Sequence, residues 1–314
     1  MMRTIDNETI DQVLNYDKML EALYKIFISK FTMPVRHHHF YNTPDSAENA
    51  LILMPAWTDK YLGCKQVIVA PKNAEQHLPA IHALYTLFNA ETGVPLAQMD
   101  ATKLTSVRTA CASALAAKYL ARENAENLLV IGSGSVAYHL AQAHSSVRNY
   151  KHIEVWARNS DKAQALLDSL KQQGFTNVSL AKDLQAAIQK ADVISSATLS
   201  KEPIIKGEWL KPGVHLDLIG SHTPKTREAD DEVIRRSTIY ADSREGALHE
   251  TGELAIPIAS GLLDPKDVQA DLVELCKANK LARKNEEEIT LFKSAGLAIE
   301  DLAAALMVYE AVAE

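Results

Sequence analysis

The stretch that most constrains this chain runs from Leu128 to Arg158. A short apolar run, Leu128-Leu-Val-Ile131, meets the turn Gly132-Ser133-Gly134-Ser135-Val136-Ala137. A helix-compatible run follows to Arg148, and then a second apolar run, Ile153-Glu-Val-Trp-Ala-Arg158. A strand, a Gly-x-Gly-x-x-Ala turn, a helix and a strand in that order are the sequence form of a βαβ dinucleotide-binding unit. Gly132 permits the tight turn out of the strand. Gly134, lacking a Cβ, lets a pyrophosphate lie against the backbone, and Ala137 is small enough for the helix to pack closely on the strand. The helix N-terminus then offers free N–H groups and a positive dipole end to phosphate.

The pattern continues downstream. Lys162 to Gln173 reads as a helix, Val178-Ser-Leu as a short strand, and Asp183 as the cap of a helix from Leu184 to Lys190. Ala191 to Thr198, Trp209 to Gly220 and Thr238 to Asp242 bring further strands. Strands alternating with helices from Leu128 to Asp242 define an α/β class with a doubly wound parallel sheet. In such sheets the ligand lies at the C-terminal strand ends, which marks Ala197, Thr198, Ile219, Gly220 and Ser221 as candidate cofactor contacts. The end of the second strand bears on cofactor choice. An NAD site usually places an acid there, on the ribose hydroxyls. Here the strand exits into Arg158-Asn159-Ser160, a cation and two hydrogen-bonding side chains suited to a 2′-phosphate, so NADPH is expected over NADH.

Two cations outside this unit are out of place. Lys65 stands inside the apolar run Tyr61-Leu-Gly-Cys-Lys65-Gln-Val-Ile-Val, although a lysine is almost never fully buried without a partner. Thr105 or Ser106 is expected to cap the helix that follows. Arg108 would then sit in its first turn, where a cation opposes the helix dipole. Both are candidate grips for an anionic ligand. By contrast, three consecutive histidines, His37 to His39, would point to alternating faces of an extended segment, and no metal site is expected from them. Leu84 to Met99 reads as a β-hairpin turning at Asn89 to Gly93. The polar region from Leu262 to Lys284 is expected to cross back to the N-terminal part, before a closing strand and helix from Ile289.

Composition excludes several classes. The chain has 314 residues, 47% of them hydrophobic, and a formal net charge of -7. A general nucleic-acid binder would carry a basic balance. No apolar run approaches the roughly 18 residues needed to span a bilayer. The three cysteines are widely spaced and odd in number, and so form no disulfide framework or zinc pattern. A cytoplasmic location is expected.

Four separated motifs carry a family resemblance. They are Asp100-Ala-Thr-Lys-Leu-Thr-Ser-Val-Arg108-Thr109-Ala-Cys, the Gly132 turn, Gly220-Ser-His222-Thr-Pro-Lys-Thr-Arg-Glu228, and Phe292-Lys293-Ser-Ala-Gly-Leu-Ala-Ile-Glu-Asp301. Together they resemble the ornithine cyclodeaminase/μ-crystallin family over nearly the whole chain. The resemblance implies a Rossmann sheet, residues 113–285, inserted into a smaller α/β substrate-binding and dimerisation domain made from both chain ends, residues 1–112 and 286–314. It implies a homodimer, a small imino-acid substrate whose carboxylate is held by Arg36, Lys65 and Arg108, and added cofactor contacts from Thr109 and Lys293. The cyclodeaminases carry an Asp two residues after the glycine, where this chain has His222. The departure resembles the branch that reduces Δ1-pyrroline-2-carboxylate to L-proline, often in trans-3-hydroxy-L-proline breakdown, with Δ1-piperideine-2-carboxylate as the six-membered analogue. His222 is then either the proton donor or a side chain packed beside the nicotinamide. The alternatives are a cyclodeaminase, an alanine-dehydrogenase-like enzyme, and a μ-crystallin-like protein that binds a small ligand with NADPH.

Overall fold

A computed structural model describes residues 2–44 and 46–313, and the chain divides into two compact units. The first comprises residues 1–108 and 297–314, the second residues 109–296.

The first unit is built on a six-stranded sheet of β1 (Arg3–Ile5), β2 (His37–Thr43), β3 (Ser46–Trp57), β4 (Tyr61–Val69), β5 (Ile81–Asn89) and β6 (Pro95–Asp100), in the order β1-β6-β5-β4-β3-β2. β2 to β6 form an antiparallel meander, and β1 joins β6 in parallel. The expected hairpin is β5–β6, and Gly93 takes φ 70° in its turn. The N-terminal stretch forms two helices, Asn7–Val13 and Tyr16–Ile28, the second capped by the Asn15 side chain, which accepts from the Lys18 N–H. The apolar stripe Met19, Leu20, Leu23, Ile26 and Phe27 of that second helix is buried. The closing helix Ala298–Ala313 packs on it and on β3, β4 and β5.

The second unit carries eight parallel strands: β7 (Asn127–Ile131), β8 (His152–Trp156), β9 (Val178–Leu180), β10 (Val193–Ser196), β11 (His215–Leu218), β12 (Ser237–Ala241), β13 (Val268–Asp271) and β14 (Ile289–Lys293). Their order is β13-β12-β14-β11-β10-β7-β8-β9. The central strands are buried on both faces, and β7 reads accordingly as a nearly continuous apolar run, while β10 ends in Ser195-Ser196 and β11 alternates polar and apolar residues. The two polar residues of β11 are partnered. His215 Nε2 lies 2.9 Å from Asp217 Oδ1, and His144 Nε2, on the helix Ser135–Val147, lies 3.1 Å from Asp217 Oδ2, so a buried cluster ties this helix to the sheet.

Three sequence expectations are corrected. The boundaries fall at 108/109 and 296/297, not 112/113 and 285/286, because β14 is hydrogen-bonded between β11 and β12 in the parallel sheet. The 262–284 region stays within the second unit, where Val268–Asp271 pairs with β12 and Asp271 forms a capping box with Glu274. The helix expected to start at Thr105 or Ser106 starts at Ala101, where Asp100 Oδ1 accepts from the Thr102 N–H at 2.8 Å. Thr105 and Ser106 bond back to the carbonyls of Ala101 and Thr102, so Arg108 lies well inside the helix and the dipole conflict does not arise.

Candidate active site

The glycine turn shapes a cleft in the second unit. Gly132 takes φ 129°, a conformation that favours glycine, and an added Cβ would lie 2.5 Å from the Ala197 carbonyl oxygen. Its own N–H donates to Trp156 O at the end of β8. Gly134 is the N-cap of the helix Ser135–Val147 and has no side chain to fill the helix end. The resulting cleft, ≈ 340 Å³, lies at the C-terminal ends of β7, β8 and β10. Gly132, Ser133 and Gly134 form one wall, and Arg158 and Asn159 stand at the β8 exit. Ala197 and Thr198 stand at the β10 exit. Lys162, which sequence reasoning missed, also lines it. This is a cradle for a dinucleotide: an uncapped helix end for the pyrophosphate and two cations at the second strand.

Other expected cofactor contacts sit differently. Ser135 lines a smaller adjoining hollow, and Ala137 is buried beneath the turn. Val136 and Ser160 are not among the residues lining the cleft, and Asn159 Oδ1 is used to cap the next helix at the Lys162 N–H. Thr109 is buried in the helix Ala101–Leu120. Ile219, Gly220 and Ser221 form the β11 exit, and the Ser221 hydroxyl donates to Thr226 O within its own loop. Lys293, expected as a cofactor contact, lies at the end of β14. It is fully buried, and its Nζ donates to Leu218 O at 2.8 Å. Burial pushes its ammonium below the ordinary lysine range, against the pull of Glu253, Glu228 and Asp242. Burial raises all three carboxyls in turn, Glu253 to about 7.

His222 is exposed on the β11 exit loop, with Nδ1 2.9 Å from Gly220 O. With Nδ1–H donating to that carbonyl, Nε2 is left to exchange a proton.

The first unit holds a separate buried ion cluster. Lys65 Nζ on β4 donates to Asp301 at 2.9 Å and to Thr105 Oγ1 at 3.3 Å. Arg108 donates from Nε to Asp301 at 2.8 Å and from Nη1 to Glu300 at 2.6 Å. Glu300 and Asp301 are at the start of the helix Ala298–Ala313, and all four side chains are at most 4% exposed. Burial pushes Lys65 down to about 8, Asp301 partly offsets this, and the neighbouring charges of Arg108 and Arg36 add to it. Arg108 moves the other way: burial alone would lower it, but the two carboxylates outweigh that cost. Asp301 is held below its usual range, because Arg108 and Lys65 overcome the burial that would raise it. The out-of-place cations are thus brought together, and Arg36 is near enough for its charge to reach Lys65. With Arg36 the cluster carries one net positive charge, suited to a single carboxylate. Tyr85, paired with Lys65 across β4 and β5, is fully buried, and its hydroxyl has no hydrogen-bond partner among the described residues.

Sequence reasoning missed Glu300 and Asp301. The signal was there: two adjacent acids in the apolar run Leu297-Ala-Ile-Glu300-Asp301-Leu-Ala carry the same anomaly as Lys65.

A parallel sheet with a glycine-turn cleft at its C-terminal edge defines a dinucleotide-binding α/β protein. The chain matches the ornithine cyclodeaminase/mu-crystallin family over residues 2–314, and it belongs to that family. It is 36% identical to the Delta(1)-pyrroline-2-carboxylate reductase of Colwellia psychrerythraea, covering 100% of both chains. The fold matches a Thermococcus litoralis Delta(1)-pyrroline-2-carboxylate reductase, solved with NADH and L-proline, at TM-score 0.92 and 31% identity over 99% of this chain and 98% of that one. An archaeal alanine dehydrogenase, solved as a dimer with NAD, matches at TM-score 0.91 and 32% identity over 99% and 96%. Among the described residues no helix is long and apolar enough to cross a membrane.

Proposed function

We propose that this chain is a cytoplasmic, homodimeric NAD(P)H-dependent reductase of cyclic ketimine acids. It converts Δ1-pyrroline-2-carboxylate to L-proline, and Δ1-piperideine-2-carboxylate to L-pipecolate as the six-membered analogue. The observation that carries the reading is the whole-chain likeness to a reductase that holds NADH and L-proline. Lys65 and Arg108, fixed by Asp301 and Glu300, add a rigid receptor for the substrate carboxylate.

When bound, the reduced nicotinamide supplies the hydride that reaches the C=N carbon. Lys65, Arg108 and Arg36 hold the carboxylate and so orient the planar ring. Such orientation is worth about 7 kcal/mol or more in favourable systems. Gly132, Ser133, Gly134 and Arg158 would hold the dinucleotide. His222 supplies the proton that keeps the ring nitrogen an iminium, and the product is a secondary amine at the α-carbon.

The test is oxidation of NADPH and NADH with both cyclic imines, pyruvate plus ammonia, and ornithine. Turnover with a cyclic imine well above the others is expected. Turnover with pyruvate plus ammonia alone would establish the second reading, which the likeness to alanine dehydrogenase favours. The His222→Phe variant is expected to lower kcat for the cyclic imine about 10-fold or more while leaving the KM for the cofactor little changed. An unchanged kcat removes His222 from the chemistry.

The dimer reading rests on the sheet face turned away from the helices in the first unit. By register, Leu51, Leu53, Leu62, Ile68, Leu84 and Phe88 share it with Gln66, Thr86 and His82, and none is fully buried. A largely apolar sheet face with a few polar groups fits a second copy of the chain. Light scattering is expected to give twice the chain mass, and Leu53→Glu with Leu84→Arg to give the single mass. A monomeric parent protein overturns it.

A further inference from the structure

Glu228 is fully buried on the loop that leaves β11, yet its carboxylate serves two strand exits at once. One oxygen accepts from Ser196 Oγ at 2.7 Å, Thr198 N at 2.8 Å and Thr198 Oγ1 at 2.8 Å, all at the β10 exit. The other accepts from Gly220 N at 2.6 Å, at the β11 exit. Four donors on one carboxylate is close to its full accepting capacity. Its own position is fixed from behind. The Glu228 N–H donates to the Glu253 carboxylate, and its carbonyl accepts from the N–H groups of Ile204 and Ile205. The two exits are in contact: a Cβ on Gly220 would lie 1.9 Å from Thr198 O and 2.7 Å from Glu228 Oε1. The β10 exit in turn abuts the nucleotide turn, where Gly132 leaves room for Ala197 O.

The adenosine half of a dinucleotide follows the glycine turn and the β8 exit. The other half lies toward the strands on the far side of the switch point, and β10 and β11 are those strands. We propose that Glu228 is a positioning residue for the nicotinamide end of the cofactor: it clamps Thr198 to Gly220 and so fixes the floor on which the hydride donor rests. This rests on the reductase reading above. An anion is needed because every donor around it is an N–H or hydroxyl; a glutamine would turn an NH₂ toward one exit, and donor would face donor. Such a residue touches neither substrate carboxylate nor adenosine, so its loss acts on one half of one ligand.

The test compares two ligands by calorimetry: NADPH, and 2′-phospho-ADP-ribose, which lacks the nicotinamide. Glu228→Gln is expected to weaken NADPH about 10-fold, leave the nicotinamide-free ligand within twofold, and lower kcat about 10- to 100-fold. The imine KM should hold, and the deuterium isotope effect from 4-deuterated NADPH should increase. Ser196→Ala, which removes one buried donor and lines no part of the cleft, is expected to show the same signature at two- to fivefold, and tests the clamp even if Glu228→Gln does not fold. Unchanged NADPH affinity in the variants overturns the proposal. Equal loss of both ligands also overturns it, because that is a general structural effect. The calorimetric comparison stands even if no cyclic imine is reduced, so the failure of the reductase reading and of the clamp are distinguishable.

Discussion

Replacing Lys65 by methionine is expected to lower kcat/KM for the cyclic imine about 10²- to 10³-fold with little change in thermal stability, whereas Arg108→Ala loses both. Losing one charged contact to a developing or bound anion in a water-poor site costs about 3–4 kcal/mol, which gives the fall in kcat/KM. The stabilities diverge because the two cations are partnered differently. Without Lys65, Asp301 keeps its bond from Arg108 Nε. Without Arg108, Glu300 loses its guanidinium partner and Asp301 one of two cations, while both acids stay buried. Breaking a buried pair this way costs about 3–5 kcal/mol, or about 6–20 °C of melting temperature. The pH profile gives a further check. Lys65 titrates at about 8 in the free protein, so it loses its charge as pH rises through that value. The imine kcat/KM is therefore expected to fall above pH 8, while kcat holds further, because a bound carboxylate favours the ammonium. A Lys65→Met enzyme with kcat/KM within threefold of the parent would dismiss the carboxylate grip.

The contrast between these variants shows what the chain discloses about itself. Lys65 is legible because a cation in an apolar strand contradicts its surroundings. Its partner Asp301 lies 236 residues away, and acids at a helix start look like ordinary dipole complements, so the pair hides in plain local chemistry. Arg108 is out of place only if the helix starts at Thr105 or Ser106, and Asp100 places that start five or six residues earlier; its partners are a better reason for its presence than a dipole conflict. The βαβ unit is legible because both glycines and both flanks act over about 30 residues. β14 reads as a strand just as clearly, but its seat between β11 and β12 depends on pairing across the sheet, and local pattern carries no such information. Val268–Asp271 is too short and half-exposed to announce itself. Glu228 ends the motif that begins at Gly220, yet its contacts come from two loops that meet only in the fold.

Arg158→Asp is expected to reverse the choice of cofactor. Arg158 is exposed at the β8 exit and lines the nucleotide cleft, with Lys162 beside it and no acid among the lining residues. A 2′-phosphate adds about two negative charges there, and losing one charge-assisted contact costs about 1.5–3 kcal/mol, or about 10- to 100-fold. An aspartate adds repulsion to that loss and supplies the acceptor that a ribose diol needs. Together they lower kcat/KM for NADPH about 10²- to 10³-fold and leave NADH equal or better; Lys162 keeps the residual NADPH activity above zero. Because the site is open to solvent, the parent KM for NADPH should rise between low salt and about 0.5 M salt, as the Debye length falls from about 10 Å at 0.1 M toward a few ångström. The NADH KM should hardly move. Two solved relatives hold NADH or NAD, so a preference for NADPH in this chain is expected to turn on the local side chains at this strand end, Arg158 and Lys162. A parent enzyme that prefers NADH, or an Arg158→Asp variant with unchanged NADPH kinetics, would place the selection elsewhere.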